Sequence, residues 1–182
     1  MKRLRCALVL GLLQLMVTPL WGQTTNPNAT VNVNAGALTI THVNNVTFAD
    51  VTLNGTDQSP ACTGTPTLTL TDARGSGVGW NVTVSATNFI SGPNSIAGSG
   101  FTFTGPGGTV TTLAGNAQPT QSVVAATALN PGGFKILSAA VNQGMGSYTY
   151  TPANGQFALN VPASTFAGSY TSTMTFTIAS GP

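Results

Sequence analysis

The chain has 182 residues, with five lysines and arginines, three acidic residues and one histidine. Lys2, Arg3 and Arg5 open it, an apolar run from Ala7 to Val17 and a polar exit at Thr18–Gly22 follow, and this is the pattern of a secretory signal peptide whose apolar run is too short to span a bilayer with ease. With residues 1–22 removed between Gly22 and Gln23, Arg74 and Lys135 stand against Asp50, Asp57 and Asp72, a formal charge of −1, which excludes a nucleic-acid surface and charge-based recognition of lipid headgroups.

Strand signals then follow one another, separated by turn residues. Ala29, Val31, Val33 and Ala35 alternate on odd positions, while Leu38 and Ile40 fall on even ones. One residue of slip reverses the faces, so Gly36 is expected to be a bulge, a bend or a crossing between sheets. The domain plan is a cleaved leader at 1–22, an N-terminal strand at 23–36 that can be exchanged, and a domain at 37–182. Leu68 and Leu70 alternate with threonines, and Val78, Trp80, Val82, Val84 and Ala86 share one face of the next strand. The stretch Asp72–Gly77 between them reads as a hairpin-like turn, with glycines supplying positive φ.

Further strands are predicted around Phe101–Thr104, Thr109–Thr112, Phe134–Leu137, Ser147–Thr151 and Gln156–Val161. Residues 91–100 and 114–133 are the longest loop candidates, and Val123–Leu129 reads either as a short strand or as one helical turn. The final pattern is the clearest: Tyr170, Met174, Phe176 and Ile178 alternate with hydroxyl side chains. No helical period survives the recurring Gly, Pro, Asn and Thr. The fold class is therefore all-β, a single antiparallel β-sandwich of roughly eight to eleven short strands.

Only 4% of the chain is charged, against an ordinary share of about 25%. The surface must be built from Thr, Ser, Asn and Gly, which stays wet but does little to repel copies of itself. Such composition suits secreted envelope proteins and fibre subunits better than soluble enzymes. No integral membrane anchor is expected in the mature chain. Cys62 loses Cys6 with the leader and reads as a small buried thiol, with pairing between chains as the other option. Of four sequons, the one at Asn81 is expected to face outward.

The segment Thr69–Phe89, TLTDARGSGVGWNVTVSATNF, resembles the central motif of WxL-type surface domains: a strand, an Asp-x-Arg-Gly turn and a Gly-Trp strand. Gly168–Ile178, GSYTSTMTFTI, resembles their last strand, and Val31–Ile40 fits their first. The first Trp-x-Leu slot reads Trp80-Asn81-Val82 and the second Phe176-Thr177-Ile178, so the second tryptophan is replaced. The resemblance implies the fold and noncovalent attachment to the cell wall of Gram-positive bacteria. It assigns Asp72, Arg74, Gly75, Gly79, Trp80, Val82, Phe176 and Ile178 to the family motif, in a structural or wall-binding role. Read from the residues alone, Trp80 on an apolar face is more often core than ligand platform. Asp72 and Arg74 form either an exposed local pair or a buried one in which Arg74 satisfies backbone carbonyls.

Catalytic chemistry is poorly provided for. His42 is the only histidine and no nucleophile-elbow motif exists. One His with one mature Cys makes a poor zinc site, separated aspartates make no calcium loop, and glutamate is absent. No catalytic residue, cofactor or metal is assigned. The leading expectation is a secreted, non-enzymatic structural or adhesion protein at the cell surface, binding an envelope polymer or another surface protein. The alternative is a pilus-like fibre subunit, a homopolymer in which Ala29, Val31, Val33 and Ala35 act as a donor strand completing a neighbour's sheet.

Overall fold

The computed structural model describes residues 22–130 and 132–182. The expected leader lies outside the described residues save for Gly22. The chain divides at Val33, and residues 34–182 form one unit. The described strands are β1 (Leu38–Val43), β2 (Thr47–Phe48), β3 (Cys62–Gly64), β4 (Thr67–Asp72), β5 (Trp80–Ala86), β6 (Phe89–Ser91), β7 (Asn94–Ile96), β8 (Phe101–Gly105), β9 (Thr109–Gly115), β10 (Thr120–Gln121), β11 (Val124–Ala128), β12 (Phe134–Ala139), β13 (Gly146–Thr151), β14 (Phe157–Leu159) and β15 (Met174–Ser180).

Two four-stranded antiparallel sheets carry the architecture, ordered β1-β4-β13-β9 and β10-β12-β5-β15. Their inner faces follow from alternation. Leu68, Leu70, Tyr148 and Tyr150 of the first sheet and Trp80, Val82, Val84 and Leu137 of the second are all buried in one core. Trp80 meets Tyr148 across the layers, with ring centroids 6.4 Å apart. A third sheet, β11-β8-β14, extends the core with an aromatic cluster. Phe103 packs on Phe157 and Phe134 there, and Phe101 on Phe48 and Phe89.

The all-β sandwich expected from the pattern is the observed fold, with more strands than the expected count. The surplus lies in two- and three-residue pairs and inside the presumed loops. Residues 91–100 hold β7 and 114–133 hold β10 and β11, so Val124–Ala128 is a strand rather than a helical turn.

Three expectations are corrected. First, β4 and β5 do not form a hairpin, because they belong to different sheets. Each strand has its own apolar face, and Ala73–Gly79 carries the chain from one layer to the other so that both faces reach the same core. Positive φ at Gly75, Gly77 and Gly79 makes that crossing possible. At Gly79 a side chain would also collide with the Ala139 carbonyl. Second, Val78 is 43% exposed, because it lies in this crossing and not on the β5 face. Third, residues 22–37 form no strand. The first described strand starts at Leu38, and Ala29, Val31, Val33 and Ala35 are exposed.

Gly36 does mark a bulge. Its N–H donates to Ala73 O at 2.8 Å, while Ala73 N–H donates to Ala37 O at 3.0 Å. Two residues therefore oppose one, the signature of a bulge. A second bulge lies between Lys135 and Leu137 on β12. It explains why the adjacent residues Ile136 and Leu137 are both buried.

Candidate functional site

The residues grouped by the central motif meet at one corner of the sandwich. Asp72 ends β4 with its side chain on the core face, and only 3% of the residue is exposed. Arg74, just into the crossing, turns back on it. Its Nε donates to Oδ1 and its Nη2 to Oδ2, both at 2.9 Å, and its own backbone N–H donates to Oδ1 at 3.1 Å. The same guanidinium donates to Gly79 O at 2.9 Å and to Ser180 Oγ at 2.7 Å. One side chain thus ties the end of β4, the start of β5 and the end of β15.

The observed pair lies between the two sequence readings: Asp72 is buried, Arg74 is half-buried, and the guanidinium satisfies one backbone carbonyl, that of Gly79. The side-chain hydrogen bonds from Arg74 hold the Asp72 carboxyl below its ordinary pKa, although burial pushes the other way. Asp72 in turn raises the pKa of Arg74.

Trp80 is wholly buried, and its indole N–H donates to Gly144 O at 2.9 Å. Val82 beside it is wholly buried too. The second motif slot lies on the neighbouring strand, where Ile178 pairs with Val82 and Phe176 with Val84. Phe176 and Ile178 are only half-buried, because β15 is the edge of its sheet. Trp80 thus presents no face to a ligand, whereas Phe176 of the second slot lines a groove. Asn81 does not point free either: its side-chain amide donates to Gly181 O at 2.7 Å.

Two surfaces can meet a partner. The outer face of the first sheet carries hydroxyls in register. Thr41, Thr69, Thr149 and Thr111 form one row across four strands. Thr39, Thr71 and Ser147 form a second, and Thr67, Thr151 and Thr109 a third. Neighbouring hydroxyls bond laterally, Thr67 to Thr151 at 2.9 Å and Thr71 to Ser147 at 3.3 Å. Strands stand about 4.8 Å apart and alternate residues about 6.7 Å apart, so the face is a repeating grid of neutral donors and acceptors.

The second surface is a groove of about 680 Å³ between β1 and β15, the adjoining edges of the two main sheets. Ile40, Phe48, Tyr170, Met174 and Phe176 line it over buried Leu68, Phe89 and Phe101, and its rim is polar, with His42, Asn44, Asn45 and the hydroxyls of residues 171–173.

The sequence did not point to this groove. Its walls come from strands more than a hundred residues apart in the chain, and each reads only as half of an ordinary sandwich. Gly144 and Ser180, which accept from Trp80 and Arg74, carried no signal for the same reason. Cys62 is half-buried and its thiol donates to Gly64 O at 3.2 Å. Burial pushes its pKa up. No group of three or more His, Cys, Asp or Glu comes together among the described residues, and none of their helices is long and apolar enough to cross a membrane.

A family model for the WxL domain, described as surface cell wall-binding, matches residues 17–182. No curated protein and no solved structure matches the chain.

Proposed function

Because the chain belongs to the WxL domain family of surface cell wall-binding domains, we propose that it is an exported, non-enzymatic structural or adhesion protein that holds the envelope through the hydroxyl grid of its first sheet. The observation that carries this reading is the contrast between the motif and the grid. Trp80 is sealed in the core, whereas the threonine rows stand on an outer face built from four strands. The ligand that suits such a face is a neutral polymer carrying its own hydroxyls and amides, because the face offers both donors and acceptors and no charge.

Asp72, Arg74, Gly75, Gly79, Trp80, Val82, Phe176 and Ile178 act in this reading by fixing the fold that presents the grid. Pelleting of the mature protein with purified cell walls tests it. Replacing Thr41, Thr69 and Thr149 together by Val keeps shape and strand propensity but removes three hydroxyls from one row. The triple variant should melt like the parent and stay in the supernatant. Undiminished pelleting of a folded triple variant would sink the assignment of this face.

Self-assembly is the second finer reading. It is favoured by an exposed alternating segment at Ala29–Ala35 and by a surface with little charge to keep copies apart.

A further inference from the structure

We propose that the groove between β1 and β15 is an acceptor site for a second copy of this chain, filled by that copy's Val31 and Val33. The proposal deepens the assembly reading and rests on it. Among the described residues, both walls of the groove are unpaired strand edges. In β1 the Ala73–Ala37 bond fixes which backbone groups face β4, so by alternation those of Ile40 and His42 point away from it. In β15 the bonds from Gly181 N–H to Gly79 O and from Thr87 N–H to Thr173 O fix the phase in the same way. The backbone groups of Met174 and Phe176 then face the open side. Two rows of free donors and acceptors thus flank an apolar floor, which is what an added strand needs.

The chain supplies an alternating segment that joins none of the described sheets. Val31 is 84% exposed and Val33 89%, and both alternate with uncharged polar residues. A chain cannot fill its own groove with them. Gly36 and Ala37 are already bonded to Ala73, so the tightest return would turn at Asn34-Ala35. That register sets Val33 against Gly36 and Val31 against Leu38. Only Ala29 would reach Ile40, where the groove begins. A second copy has no such limit. Because the donor segment and the acceptor groove are made of different residues, the contact is head-to-tail and extends into a filament unless it closes.

The test is sedimentation velocity of the mature protein from dilute to concentrated solution, with micrographs of the same samples, beside Val33→Asp. An aspartate pressed onto the floor of Leu68, Phe89 and Phe101 is disfavoured, whereas on the free chain residue 33 is exposed. The wild type should show concentration-dependent multiples of the monomer and filaments, and Val33→Asp should remain monomeric with an unchanged melting temperature and unchanged pelleting with cell walls. A labelled peptide spanning residues 26–35 should also bind wild-type protein and compete with assembly. Assembly by Val33→Asp equal to the wild type would overturn the groove while leaving self-assembly standing. A wild type that stays monomeric throughout would overturn both and leave wall binding untouched.

Discussion

Arg74 grips Asp72 with two parallel hydrogen bonds of 2.9 Å each, and the carboxylate they hold is almost wholly shielded from water. Paired in this way the charge is tolerated; unpaired it is not. Arg74→Ala should therefore cost at the low end of about 3–5 kcal/mol, because Asp72 is left buried without its partner and the Arg74 head group is itself partly wet. Arg74→Lys should recover little of this, since a single ammonium cannot fork onto both oxygens. The Asp72→Asn, Arg74→Ala double variant should be more stable than Arg74→Ala alone. Denaturant titrations of the set measure it.

The same pair sets the acid limit. The folded-state pKa of Asp72 lies below its unfolded value, which is about 3.9. Its contribution is complete above that value and is lost as pH falls through the lower, folded one. Stability measured against pH should drop below about pH 4 in the parent, and the drop should be shallower in Asp72→Asn.

Burial of Trp80 makes its truncation a core lesion. Trp80→Ala should cost roughly 3–5 kcal/mol by leaving a cavity against Tyr148. Trp80→Phe keeps much of the packing but deprives Gly144 O of its donor, for about 1–3 kcal/mol. Both variants should still pellet with cell walls at temperatures where they remain folded. A folded Trp80→Phe that has lost wall binding would return the tryptophan to the binding surface.

Alkaline stability should turn on Tyr150. Its hydroxyl shares its one proton within the core between Gly107 O at 3.1 Å and Gln156 Oε1 at 3.2 Å, and burial pushes its pKa up to about 12. The unfolded chain ionises first, near pH 10. The stabilisation is therefore full below about pH 10 and is lost as pH rises towards about 12. Tyr148, raised in the same direction, adds to that slope. Tyr150→Phe should lose about 1 kcal/mol at neutral pH and show a flatter alkaline limb. Melting temperatures across that range provide the comparison.

Period-two patterning made β4, β5, β13 and β15 legible, together with Trp80 and its apolar neighbours, because a strand buried on one face writes its orientation directly into alternate residues. Pairing between strands left no such trace. Asp72–Gly77 looked like a hairpin since glycines serve a sheet crossing as well as a tight turn, and the sheet each strand joins is decided by its partners, β1 and β13 for β4 and β12 and β15 for β5. Val31 and Val33 carry the right period but form no strand, since alternation states only that a segment can be buried on one face, not what covers it. The buried Asp72 was equally unreadable: a charge at the end of a strand looks the same whether the arginine beside it lies in water or against Gly79 and Ser180.

Gly36 provides the sharpest local test of how β1 is attached. A Cβ there would sit 2.7 Å from Ala73 Cβ and 3.2 Å from Ala73 O, and neither atom can retreat, because Ala73 is fixed by its bonds to both Gly36 and Ala37. The backbone conformation is not the obstacle, since Gly36 is not among the positive-φ glycines; the close approach is. Gly36→Val should thus force the bulge apart and cost roughly 1–3 kcal/mol. The loss should also be local. β1 is an edge strand held by β4 alone among the described strands, so amide exchange should quicken along Leu38–Val43 while β5 and β12, paired on both sides, keep their protection. Leu38 and Ile40 would then leave the core margin and the groove would lose one wall. Hydrogen exchange of Gly36→Val beside the parent decides the matter: equal protection of Leu38–Val43 in both would mean that the bulge does not anchor the strand.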